Sequence, residues 1–333
     1  MRNYFRLILC LLVILYCAAA FAVGERGALV RAATLYLSPD TNSSKLTEVG
    51  RGHEIVILET SRGWAHVEAL LGGQSQRRED EEEERQGKTI TGWLLDKGMV
   101  RTSTPDGDKI LFGEATDSEG QASRRGGRKG ADQDAMRLYY RVYDYFPSSP
   151  LAGEALYRAA DIRWQLEKAD VMTRPSAREK ESYLREGMDE HWMKLVMKKF
   201  SGTKWADLAA FHLIDNKLCG DWQGSSKCPE KEAEIYEKYA KEHSQSPAAA
   251  EALYDAAWRR SALIEIYKIE EQAKKSDESK NRAMALAQQV VAQYPQSQWA
   301  LRARRLVWLW EATASLMRCS EQLRVLPLPG VAP

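Results

Sequence analysis

The residues of this chain with catalytic or metal-binding potential are five histidines, five cysteines and a dense run of acids. His53, His66, His191, His212 and His243 are scattered, and none stands in an H-E-x-x-H pair; His191 follows Glu190 without a second histidine on its turn. A Gly-x-Ser-x-Gly elbow, a P-loop and a dinucleotide-binding glycine fingerprint are absent. Cys319 has no nearby histidine to activate it. Glu79 to Glu84 is a continuous acidic stretch that reads as solvated charge, not as a poised acid/base pair. No catalytic constellation, metal centre or cofactor is therefore expected, and the chain reads as a binding protein.

Cys219 and Cys228 are separated by eight residues that include the loop-like run Gly220-Asp221-Trp222-Gln223-Gly224-Ser225-Ser226. A disulfide closing this loop is expected, worth about 2–3 kcal/mol on chain-entropy grounds. Zinc is the rival, but the spacing is not C-x₂₋₄-C and only His212 lies close. Among the aromatics, Tyr36, Trp64 and Trp93 are the candidates for a ligand groove. For the two tryptophans, filling the core of the small barrel is the favoured reading, and Tyr36, beside Ser38-Pro39, is the stronger groove candidate.

The amino terminus carries Arg2 and Arg6 with no acid, then an apolar run from Leu7 to Phe21 ending in Ala20-Phe21-Ala22. Those are the three parts of a secretory signal, with cleavage expected between Ala22 and Val23. The run is shorter than the roughly 20 residues of a membrane span, and retention as an inner-membrane anchor is the alternative. Cys17 follows Tyr16, where lipidation needs a small residue, and Cys10 lies too early. Export to the periplasm or another part of the cell envelope follows, with no integral span once the signal is removed. The chain has 48 Lys+Arg against 47 Asp+Glu; without Arg2 and Arg6 the balance is 46 to 47. Nothing in that balance calls for nucleic acid or an anionic membrane as partner.

The elements that would position these residues fall into two halves with different periods. Between 28 and 102 apolar residues alternate, with expected strands at Leu29-Val30, Leu35 to Leu37, Glu54 to Leu58, Trp64 to Val67 and Thr89 to Leu94. Turn residues at Ser38-Pro39-Asp40, Arg51-Gly52 and Ser61-Arg62-Gly63 separate them. A small β-barrel is the expected fold, with 73–88 as a disordered, charged hairpin insertion. The stretch 103–131 is rich in glycine, serine and arginine, and reads as a flexible linker. From Asp132 to Cys319 the period is helical, as at Leu184, Met188, Trp192 and Leu195. A loose, proline-containing tail closes the chain at 320–333.

The helical half repeats itself. Phe146-Pro147-Ser148-Ser149-Pro150-Leu151-Ala152 through Ala155-Leu156-Tyr157 aligns with His243-Ser244-Gln245-Ser246-Pro247-Ala248-Ala249 through Ala252-Leu253-Tyr254. Tyr294-Pro295-Gln296-Ser297 and Phe200-Ser201-Gly202-Thr203 fit the same frame. Small residues then recur at Ala152, Ala206, Ala249 and Ala300, and again at Ala155, Ala209, Ala252 and Ala303. This pattern resembles tetratricopeptide repeats, and most of all those of the outer-membrane assembly lipoprotein (BamD-like) family. The series Val30 to Pro39, Arg51-Gly52, Gly63-Trp64-Ala65-His66-Val67 and Thr91-Gly92-Trp93-Leu94 resembles a bacterial SH3-type (SH3b) domain. Those resemblances imply an SH3-like β-barrel followed by an all-α solenoid. They also imply an envelope adaptor or scaffold, whose helices bind envelope proteins and whose barrel binds peptidoglycan or a protein. Two alternatives stand beside it: an accessory of outer-membrane protein assembly or secretion, and, less favoured, a cell-wall hydrolase. The signal reading predicts that mass spectrometry of the protein from its native envelope finds Val23 at the amino terminus; an intact Met1 would refute cleavage.

Overall fold

A computed structural model describes residues 24–71 and 88–310. The expected signal and its cleavage site Ala22/Val23, most of the expected insertion, Cys319 and the tail lie outside the described residues. The chain divides into two compact units, one ending at Ala159 and the other beginning at Ala160.

The first unit is built on one antiparallel sheet. Its strands are β1 (Glu25–Leu29), β2 (Ala33–Tyr36), β3 (Lys45–Val49), β4 (Glu54–Ser61), β5 (Trp64–Leu71), β6 (Lys88–Leu95) and β7 (Met99–Arg101). They pair in the order β3-β2-β6-β5-β4-β1-β7. β3 and β7 had no strand signal; each is short and takes its place from its neighbour's ladder. β4 turns into β5 through Arg62 and Gly63, both at positive φ (48° and 81°), the backbone a two-residue hairpin turn demands. Register then follows the pleat: Ala65 faces Leu94, and Val67 lies between Ile57 and Gly92. Leu29, Leu35, Val49, Ile55, Ala65, Val67, Ala69 and Leu94 are fully buried and form this unit's core.

The helices begin earlier than the sequence suggests. Segment 103–131 is not a flexible linker: helix α1 (Gly107–Ala122) occupies most of it. Leu111, Ala115 and Ser118 are fully buried, one narrow stripe at helical spacing packed on helix α2 (Ala131–Tyr145). Thr116 Oγ1 lies 3.1 Å from Tyr139 Oη, which also donates to Glu119 at 2.7 Å. The stripe was illegible because two of its members are Ala and Ser and because Gly113 and Gly120 interrupt the pattern. The expected boundary at 102 and the helical start at 132 therefore give way to a first unit that includes both helices. α2 is bound to the sheet by polar contacts from its middle and its last turn: Arg137 Nε donates to the Arg51 carbonyl at 3.1 Å, and Tyr145 Oη to that of Gly27 at 2.9 Å. Arg26 pairs with both Glu54 and Asp144. Gly52 sits against this helix at φ 73°, where a Cβ would come within 2.6 Å of Arg137 Cβ.

The remaining helices are α3 (Ala152–Val171), α4 (His191–Lys199), α5 (Lys204–His212), α6 (Lys227–Glu242), α7 (Ala249–Ile269), α8 (Ala273–Gln293) and α9, described over 298–310. Short 3₁₀ turns at Pro175–Arg178, Ser182–Leu184 and Asp215–Lys217 interrupt them. Four helix-to-helix turns share one geometry. Phe146, Phe200, His243 and Tyr294 end a helix at φ between −122° and −128°. The N–H of each donates to the carbonyl four residues back, on Val142, Val196, Tyr239 and Val290. The N–H groups of Ser149, Thr203, Ser246 and Ser297 donate in turn to the carbonyls of Phe146, Phe200, His243 and Tyr294. Three of these hydroxyls also meet the next helix: Ser149 Oγ accepts from Leu151 N–H, Ser246 Oγ from Ala248 and Ser297 Oγ from Ala300, each at 3.1 Å. Serine thus satisfies donors that a helix start leaves open. All eight recurring alanines are buried, Ala206 least at 8 % exposure, as close helix approach requires. Leu111→Ala should cost about 2–4 kcal/mol, as a buried leucine does, in chemical unfolding followed by signals from the first unit; a flexible linker would show no loss.

Candidate functional site

Pleat geometry assigns the aromatic residues of the sheet. Ala65 and Val67 point into the core, so Trp64, His66 and Glu68, alternating with them, point out. Across the strands, Tyr36 pairs with Trp93, Trp93 with His66, and His66 with Glu59, which puts these four side by side on the outward face. The Tyr36 and Trp64 rings meet edge to face at 5.7 Å, and His66 stacks on Trp93 at 4.7 Å with planes 16° apart. All four rings are half-buried. Trp64 and Trp93 therefore do not fill the core; they share the outward face with Tyr36. His66 belongs to the same cluster and escaped the sequence reading, although its place two residues after Trp64 on a strand was the available signal.

This face is apolar with acidic margins. Leu58 and Leu70 are each nearly half exposed, at 47 % and 48 %, and Glu59 and Glu68 carry the charge. His66 Nδ1 lies 3.7 Å from Glu59 Oε1, too far for a hydrogen bond. A face of this kind can stack on a planar or extended ligand. The other histidines are apart from it. His53 is held below its ordinary pKa by burial and by the Arg137 charge. His243 Nδ1 contacts Asp207 at 2.8 Å within the third repeated turn.

In the second unit Cys219 and Cys228 are joined by a disulfide, with Cα atoms 6.1 Å apart. The loop it closes is anchored on Glu232, which is only 2 % exposed. Glu232 accepts from Cys219 N–H at 2.9 Å, Trp222 Nε1 at 3.2 Å and Arg259 Nε at 2.7 Å. Arg259 also stands over the Tyr236 ring at 4.4 Å. Every oxygen of this buried carboxylate is thus matched by a donor, the condition for keeping a charge inside. Further polar groups of this unit come from α3, α5 and the Asp215–Lys217 turn: Trp164 Nε1 and Lys168 Nζ both donate to Asp215, at 3.1 and 2.8 Å, and His212 Nε2 lies 3.3 Å from Asp161. Burial lowers the His212 pKa against the opposing pull of Asp161. Asp255 is the poorly compensated member: burial pushes its carboxyl up to about 6, against Arg259 at 3.7 Å. Glu251 is raised for the same reason. Trp299 packs into the core against Tyr254 at 5.3 Å, whereas Trp308 is 64 % exposed.

Among the described residues no group of three or more His, Cys, Asp or Glu is placed to hold a metal ion. No helix there is long and apolar enough to cross a membrane. No family model matches the chain, and no curated protein matches it. Solved structures similar to it include chains named "DHF58 filament" and "DHF79 filament". The first is 17 % identical, covering 65 % of this chain and 95 % of that one with a TM-score of 0.23. The second is 15 % identical, covering 60 % and 96 % with a TM-score of 0.18. At such scores the likeness carries no argument about fold or function.

Asp255 has a sign-specific consequence. A carboxyl whose folded pKa lies above its unfolded value loses stability as pH rises through the interval between them, here from about 4 to 6. Asp255→Asn should therefore melt a few degrees higher than the parent at pH 7, with the gap closing towards pH 4; a gap that widens on acidification would refute the burial argument.

Proposed function

We propose that this chain is an exported cell-envelope adaptor. Its amino-terminal sheet acts as an SH3-like barrel that takes a wall component or an extended protein segment. Its helices act as a tetratricopeptide-like solenoid that docks a partner protein. The observation that carries the reading is the segregation of Tyr36, Trp64, His66 and Trp93 onto the face turned away from the core. Aromatic rings left half-open beside exposed leucines are costly to leave bare and favour a ligand that covers them.

The helical half contributes a second argument. Four turns of one geometry, each followed by the same pair of buried alanines, are what a stack of helix pairs needs, since each pair buries its apolar face on the next. Two weak binding surfaces on one chain gain by effective concentration when their ligands are held in the same envelope.

The test is co-sedimentation of the full mature chain with purified peptidoglycan. The parent protein should be retained, and Trp93→Ala should reduce the retained fraction about tenfold or more, the loss expected for a central aromatic contact. Because Trp93 lies off the core, the variant should keep the parent's melting temperature within a few degrees. Retention undiminished by Trp93→Ala would remove this face as the site, and no retention of the parent would end the wall-component reading.

A further inference from the structure

The geometry points to the charge of what the aromatic face receives: an extended peptide segment bearing lysine or arginine side chains. This deepens the proposal that the face is a ligand site, and rests on it. Register places Glu59 directly across from His66, and Glu68 follows His66 by two residues on the same side of β5. The stacked His66–Trp93 pair is thus bordered by carboxylates in two directions, across the sheet and along the strand. The Glu59 side chain is 61 % exposed, and its basic neighbour is the His66 ring at 3.7 Å. Glu68 is exposed, and its side chain makes no hydrogen bond or ion pair among the described residues. Glu48, opposite Thr34 on β3, adds a third exposed carboxylate towards the edge of the sheet. Among the described residues the cations on this side are Lys45 beyond Tyr36 on edge strand β3, Arg62 in the β4–β5 turn, and Arg26 on β1, which lies across Val56 from Glu68 and is paired with Glu54 and Asp144.

Two attractions for a cation coincide at the centre. An indole face draws an ammonium or guanidinium group through its quadrupole, and a carboxylate a few ångströms away adds a Coulomb term. An anionic ligand would meet repulsion from both carboxylates, and a neutral one would leave them without a partner. The spacing argues for a peptide. Same-face residues on β5 recur every second position, about 6.8 Å apart, which is also the repeat of alternate side chains in an extended peptide. A segment laid along β5 can set successive same-side groups over Trp64, over the His66–Trp93 pair beside Glu59, and next to Glu68.

Titration calorimetry of the full mature chain tests this, with an acetylated, amidated Gly-Lys-Gly-Lys-Gly peptide and its norleucine counterpart as probes. The lysine peptide should bind about tenfold more tightly than the norleucine peptide, with the preference shrinking as salt is raised. The double variant Glu59→Gln, Glu68→Gln should abolish the preference and leave norleucine-peptide affinity unchanged, whereas Trp93→Ala should weaken both. Equal affinity for the two peptides, or a preference that survives the double variant, overturns the cationic inference. If Trp93→Ala still weakens both peptides in that case, the ligand face itself stands. If neither peptide binds up to millimolar concentration, or Trp93→Ala changes nothing, the face falls too.

Discussion

A one-residue slip between β5 and β6 would carry Ala65, Val67 and Ala69 to solvent and drive Trp64, His66 and Glu68 into the core. The period of two in a strand makes that exchange all or nothing, and the free energy of burying one face therefore fixes the register. Everything proposed for the sheet depends on this lock. With the small and branched residues committed inward, the large aromatics have only the outer face to occupy. The Arg62–Gly63 turn, at positive φ in both residues, supports the same register locally. Core and candidate site are consequences of one alternation, and a slip in register would exchange them.

The helical part rests on a different device, repeated four times. A helix ends in an aromatic ring or histidine, its N–H still bonded one turn back, and a serine or threonine three residues on closes the turn. Buried alanines then let the next helix pack closely. The variation among copies is informative. Glu232 stands eleven residues before His243, where Ala135 precedes Phe146 and Ala283 precedes Tyr294 by the same count. The third copy thus buries a charge in an apolar position, and matches it with Arg259, the Trp222 indole and the backbone of Cys219. The disulfide loop supplies two of those three donors, so covalent closure and charge compensation support each other.

For function, the two units offer different kinds of surface. The sheet presents rings, leucines and exposed carboxylates. The helices carry partly buried polar groups, among them Asp255 and Glu251, which burial holds partly against their charged forms. Both suit the recognition by shape and charge proposed above.

The sequence by itself determined what is periodic. Alternation placed β4, β5 and β6 to within a few residues, the Ser61-Arg62-Gly63 turn was visible, and the helical repeat aligns from residue types alone. Tyr36, Trp64 and Trp93 were legible as candidates because Tyr36 stands beside the Ser38-Pro39 turn and each tryptophan follows a glycine. Tertiary structure decided what is not periodic or is periodic too weakly. It drew α1 out of an apparent linker, since Leu111, Ala115 and Ser118 form a helix face only when α2 is there to cover it. It moved the boundary of the first unit past α2, because Tyr145, Arg137 and Arg26 bind partners far away in sequence. It took both tryptophans out of the core and set His66 and Glu59 beside them, because strand pairing joins residues that no spacing along the chain relates.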